Sequence, residues 1–174
     1  MYVGHVGVAL GAKRSVPGVA LLWLIVAAYL PDWTDAALCI SGKYRDTGML
    51  SHSLPAGALL MLLAAAVALL ATGDRFAAAV VAAVVVSHLP LDYVSGLKPT
   101  WPGGPAIGLQ IYTRPVVDFA TEAIVIAAGW VLYTRSLPAG LRRWNESHVM
   151  LAALLGMQLA ADVARLLYPS INKC

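Results

Sequence analysis

Leu54–Thr72, LPAGALLMLLAAAVALLAT, runs without a single charged side chain. About 20 apolar residues, rising 1.5 Å each in a helix, span the roughly 30 Å hydrocarbon core of a bilayer. The stretch is predicted to be a transmembrane helix, and the rest of the chain is read outward from it. Gly73-Asp74-Arg75 follows as a tight turn, so the next apolar run, Phe76 to about Val94, returns antiparallel. Pro90 lies inside that run and is expected to kink it.

Upstream, Pro31–Ser51 reads as a polar connection holding Asp32, Asp35, Lys43, Arg45 and Asp46. Before it, Ser15 to about Leu30 reads as a helix, with Pro17 in its first turn and Pro31 at its end. It is not expected to be a cleaved leader: apolar residues precede Lys13-Arg14, and no small-residue cleavage site follows. Tyr2–Ala12 is too short to span, about 16 Å as a helix. It carries Gly4, Gly7 and Gly11 on nearly one face, which lets another helix approach closely. Downstream, Ser95–Arg114 is a Pro/Gly-rich loop with Trp101 and Tyr112, side chains that favour the membrane interface. Helices are predicted from about Pro115 to Thr134 and from about His148 to Tyr168, joined by a basic turn with Arg135, Arg142 and Arg143.

Composition agrees. Of 174 residues, 60% are hydrophobic and 12% charged, against about half and a quarter in a soluble domain. The expected fold is an all-α integral membrane protein: a bundle of about five transmembrane helices plus a short N-terminal helix, in a single membrane-embedded domain over residues 1–174. The net charge of +3 is dispersed among the connections, as suits anionic headgroups. Membrane lipid is thus an expected partner, and nucleic acid is not. Cys39 and Cys174 have no CxxC spacing and imply no cysteine zinc site; a disulfide between them stays open.

Threading these helices up and down makes the unusual polar residues converge. Let side A hold Lys13 and Arg14. His5, Asp32, Asp35, His52, His88, Asp92, Asp118 and Glu122 then all fall toward side B, while His148 falls on side A. His88 and Asp92 are four apart and share a helix face, as do Asp118 and Glu122. Imidazole and carboxylate together suit a divalent cation such as zinc, manganese or iron. An ionised group at the centre of a transmembrane helix costs about 2.5–3.5 kcal/mol on insertion scales, and a shared cation offsets that for several carboxylates. Taken one at a time, an intramembrane histidine is more often a helix–helix hydrogen bonder than a ligand, and Asp32 and Asp35 read as ordinary interfacial loop residues, or Asp32 as part of a turn after Pro31. Asp118 also has Arg114 four residues before it, and Asp162 with Arg165 reads as a structural pair.

The succession Gly4-His5, Leu30-Pro31-Asp32-Trp33-Thr34-Asp35, Ser51-His52-Ser53 and His88-Leu89-Pro90-Leu91-Asp92 resembles the LexA-regulated, inner-membrane-associated family of metal-dependent hydrolases of bacteria and archaea. The likeness covers roughly residues 1–120. It implies a membrane-embedded metal hydrolase, distantly similar to zinc-dependent phospholipase C, with His5, Asp32, His52, His88 and Asp92 at the family's ligand positions. Asp35 matches the second acid of its Pro-Asp-x-x-Asp-like element. Where the family often has His-Arg-Gly, this chain has Tyr44-Arg45-Asp46, which leaves a second metal without its histidine unless Asp46 serves.

The expected reaction is hydrolysis of a phosphoester or another amphiphile by water whose pKa a zinc-like ion lowers from 15.7 to about 7. Asp118 joins the candidate ligands, Asp35 or Glu122 is the candidate proton acceptor, and Arg45 or Arg114 the candidate anion holder. The Trp101 loop is expected to cover the site. Basic turns are denser on side A, which the positive-inside rule places in the cytoplasm, and the site outside. Two other functions fit the same residues: a metal-binding or regulatory membrane protein without catalysis, and an ion or proton transporter. The transporter fits less well, because the acids gather at one face and no interrupted helix pair suggests inverted repeats.

Overall fold

In the computed structural model, residues 2–42, 50–141 and 144–167 are described. They form seven α-helices with almost no strand: α1 Gly4–Lys13, α2 Leu21–Ala28, α3 Leu30–Ile40, α4 Leu54–Thr72, α5 Arg75–Ser95, α6 Pro115–Ser136 and α7 Trp144–Leu167. Four helices are long and apolar enough to cross a membrane, and α2 with α3 make a fifth span if their 60° bend is counted as one crossing. This is the expected all-helical membrane bundle with its short N-terminal helix.

The decisive run behaves as its composition demands. Only 6% of the α4 span is buried against protein; Leu59, Leu62, Leu63, Val67 and Leu70 stand exposed. That much contiguous apolar surface belongs in lipid. Gly73 ends α4 in the left-handed conformation (φ 67°), and the Asp74 carboxylate accepts the Phe76 N–H at 2.8 Å to start α5. Helix α5 continues through Pro90 to Ser95.

Two expectations need correction. The helix predicted from Ser15 begins only at Leu21, after a turn around Pro17 and Gly18 whose carbonyls at Pro17 and Val19 accept the Lys13 ammonium. The connection predicted from Pro31 is helical as far as Ile40. Pro31 has no N–H and crowds the carbonyl four residues back, so the chain breaks at Tyr29 and restarts in a new direction. Pro31 sits within the first two positions of α3, where its missing donor is harmless.

The buried core lies between α1, α2 and α5, around Ala9, Leu24, Ala27, Val81 and Val85. The glycine face of α1 packs on α6 as its spacing suggests. A Cβ on Gly7 would lie 2.5 Å from the Val125 carbonyl oxygen, and one on Gly129 would collide with the Gly7 backbone. The loop after α5 folds into a two-stranded hairpin, β1 Lys98–Pro99 against β2 Ala106–Ile107. It is tied down by Leu54 N–H to Thr100 O and Leu109 N–H to Tyr93 O.

Candidate metal centre

Four local features build the site. The break at Tyr29 leaves the adjacent Ala28 carbonyl to accept from His88 Nδ1 at 2.7 Å. The restarted helix α3 presents Asp32 and Asp35 one turn apart. A 3-10 turn, Leu50–His52, docks on α3: Ser51 Oγ donates to Pro31 O at 2.7 Å, and Ser51 N–H to Asp35 Oδ1 at 3.0 Å. Helix α5 contributes His88 and Asp92 from one face.

Asp32, His52, His88 and Asp92 each direct one ligand atom into a common space, all within 4.8 Å of one another. His52 Nε2 lies 3.0 Å from His88 Nε2, 3.2 Å from Asp32 Oδ1 and 3.0 Å from Asp92 Oδ2. His88 Nε2 lies 3.5 Å from each of the same carboxylate oxygens. Zinc ligands at about 2.0–2.2 Å put tetrahedral neighbours roughly 3.3–3.6 Å apart. The group is therefore of the size a small divalent cation takes.

The outward nitrogens sharpen the point. His88 Nδ1 faces a carbonyl, which only accepts, so it carries a proton. His52 Nδ1 is 2.8 Å from the Asp35 carboxylate Oδ2 and donates to it. Both inward Nε2 atoms are then lone-pair donors when the rings are neutral, and they face each other and two carboxylates. This arrangement needs a positive charge at its centre. A metal-bound histidine held at its other nitrogen by a carboxylate or carbonyl has this pattern. Without a cation a proton fills the need: burial works to lower the His52 pKa, but Asp32, Asp35 and Asp92 together outweigh it and hold it raised to about 10. The donor set fits a divalent cation.

The other predicted residues are placed differently. His5 joins the cluster but not the four: its ring stacks on His88 at 3.9 Å, and its Nε2 is 3.2 Å from Asp92 Oδ1, while the other oxygen of that carboxylate, Oδ2, faces His52 and His88. Asp35 is engaged by His52 and Ser51, so it orients the His52 ring and does not stand ready as a base. Asp118 is not in the group. Its Oδ2 pairs with Arg165 at 2.7 Å, which replaces the Arg114 partner considered from sequence, and Arg165 also reaches Asp162 at 3.5 Å. Glu122 accepts the N–H groups of Tyr2 and Gly4 at 2.7 and 2.6 Å; it caps the start of α1, because a helix N-terminus leaves donors unpaired. Arg45 and Asp46 lie outside the described residues. His148 packs against Trp130, ring centroids 5.0 Å apart, away from the cluster as expected.

The hairpin supplies what the sequence reading missed. Trp101, expected to cover the site, is 63% exposed. Lys98 reaches it instead, Nζ to Asp92 Oδ2 at 2.7 Å. The signal for Lys98 was weak: one lysine, six residues past Asp92, in a Gly/Pro-rich loop. The Ala28 carbonyl carries no side-chain signal at all.

No curated protein and no solved structure matches the chain. The family model described as YdjM inner membrane protein matches residues 1–166. A helical membrane bundle matched over nearly its whole length thus belongs to the YdjM inner membrane protein family.

Proposed function

We propose that this protein is a membrane-embedded, metal-dependent hydrolase of a phosphoester or lipid-like amphiphile, with its site on the extracytoplasmic side. The observation that carries the proposal is the inward convergence of two imidazoles, held at their outer nitrogens, with two carboxylates. The resemblance to LexA-regulated metal-dependent hydrolases, and more distantly to zinc-dependent phospholipase C, supports the reaction class.

Asp32, His52, His88 and Asp92 would hold the cation, zinc in the first instance and manganese or iron as alternatives. Once bound, it would supply Lewis acidity and lower the pKa of water. Asp35 and the Ala28 carbonyl fix the two rings, and His5 steadies Asp92 through its second oxygen. Asp32 forms the open edge: its side chain is 41% exposed, while those of His52, His88 and Asp92 are 3% or less. Substrate would enter there, and the Asp32 oxygen turned from the cation would pass a proton to solvent.

One observation favours the non-catalytic alternative: both acids read as bases from sequence, Asp35 and Glu122, are committed to other hydrogen bonds. The test is a hydrolysis screen of purified, metal-loaded protein with phosphodiesters and phospholipid vesicles. Turnover that disappears in the metal-free His88→Ala variant supports the hydrolase. Full metal content without turnover of any ester supports a metal-binding role.

A further inference from the structure

Lys98 has a place in this centre that hydrogen bonding alone does not exhaust. Its ammonium meets Asp92 Oδ2 at 2.7 Å, the same oxygen that faces both inward imidazole nitrogens at 3.0 and 3.5 Å. The lysine therefore stands immediately outside the four-atom space. It is not carried on a loose loop. The strand pairing of Lys98 with Ile107, the Tyr93 hydroxyl donating to Pro99 O at 3.3 Å and the Leu54 N–H to Thr100 O bond fix the backbone at Lys98 and the two residues after it.

The charges decide what it does. Asp32 and Asp92 together balance a divalent cation, and Asp35 is engaged by His52. Once a cation draws on Asp92, that carboxylate holds the ammonium less strongly, and the positive charge of Lys98 is left beside the metal. A lysine is a compact, mobile point charge on a flexible stem, suited to a phosphate oxygen. Its side chain is largely enclosed, 12% exposed, so the ammonium sits beside the centre and not out in solvent.

Resting on the metal-centre reading above, we propose that Lys98 is the anion-recognition residue of this site: the group bound beside the metal carries an anionic oxygen, as a phosphoryl group does, and Lys98 pairs with it. This assigns to Lys98 the part that Arg45 and Arg114 were expected to play.

The test uses the full chain in detergent, loaded with zinc, and inorganic phosphate as the probe. Zinc content is measured by elemental analysis and phosphate affinity by calorimetry, on wild type, Lys98→Met and Lys98→Arg. A charge-assisted hydrogen bond of about 1.5–3 kcal/mol corresponds to roughly 10- to 150-fold in affinity. The expected result is equal zinc in all three, at least about tenfold weaker phosphate binding in Lys98→Met, and retention in Lys98→Arg. Equal zinc with equal phosphate affinity in wild type and Lys98→Met overturns the assignment while leaving the metal centre standing, and so does zinc-loaded wild type that binds no phosphate. Wild type that takes up no zinc overturns the metal centre and this assignment with it. Loss of zinc in Lys98→Met and Lys98→Arg alike makes the lysine a structural counter-ion, and also overturns it.

Discussion

At the scale of single residues, the site is a matter of which nitrogen of each ring carries a proton. Asp35 decides this for His52, and the Ala28 carbonyl for His88. Asp35→Asn keeps the shape but removes the carboxylate that polarises the ring. Metal affinity should fall about 10- to 100-fold, read by competition with a coloured chelator; unchanged affinity would show that the contact is idle. His52 adds a pH dependence. Its pKa is raised above the ordinary value to about 10 when no cation is present, so below that pH a metal must displace a proton to bind. Metal affinity should rise as pH rises from 6 to 9, with protons released on binding in weakly buffered solution. A pH-independent affinity would contradict this.

The candidate residues were legible because histidine and aspartate are rare in apolar helices and fell at one end of each. Asp118 and Glu122 shared that end and the same spacing, yet joined a different polar group. Sequence spacing gives the level in the membrane but not the direction around the bundle axis. That direction depends on α1 lying against α6, where Glu122 meets the open N–H groups of Tyr2 and Gly4.

At the scale of elements, two devices place the residues. The first is the break before Pro31, which sets α3, with Asp32 and Asp35, at 60° to α2. Sequence marked the break but not the helix after it, because its polar residues read as a loop. The second is the glycine contact of α1 with α6. Gly7→Leu cannot fit against the Val125 carbonyl; the helices must part. Overpacking of this kind costs about 1–3 kcal/mol, so the variant should melt at lower temperature in detergent, while Gly18→Leu, with nothing within 4 Å of its Cβ position, should not. Equal melting of both variants would mean that the close approach contributes nothing.

At the scale of the whole molecule, alternation of helix direction was enough to bring His5, Asp32, His52, His88 and Asp92, drawn from four segments, to one end. Composition alone does not fix which side of the membrane that end faces, since basic residues occur at both. The hairpin carrying Lys98 lies at the site's end, so exposed Trp101 reports on it. A Trp101→Cys chain should take up an impermeant thiol reagent in intact cells, beyond the labelling of the unsubstituted chain. Labelling that appears only after lysis would put the site in the cytoplasm.

The whole reading turns on Asp32, His52, His88 and Asp92 together holding a divalent cation. Elemental analysis of purified wild type beside His88→Ala and Asp92→Ala, prepared identically and shown to be folded, tests it most directly. The expected result is about one divalent ion per chain in wild type and loss of that ion in both variants. Wild-type metal content in both variants, or none in any of the three, would contradict it.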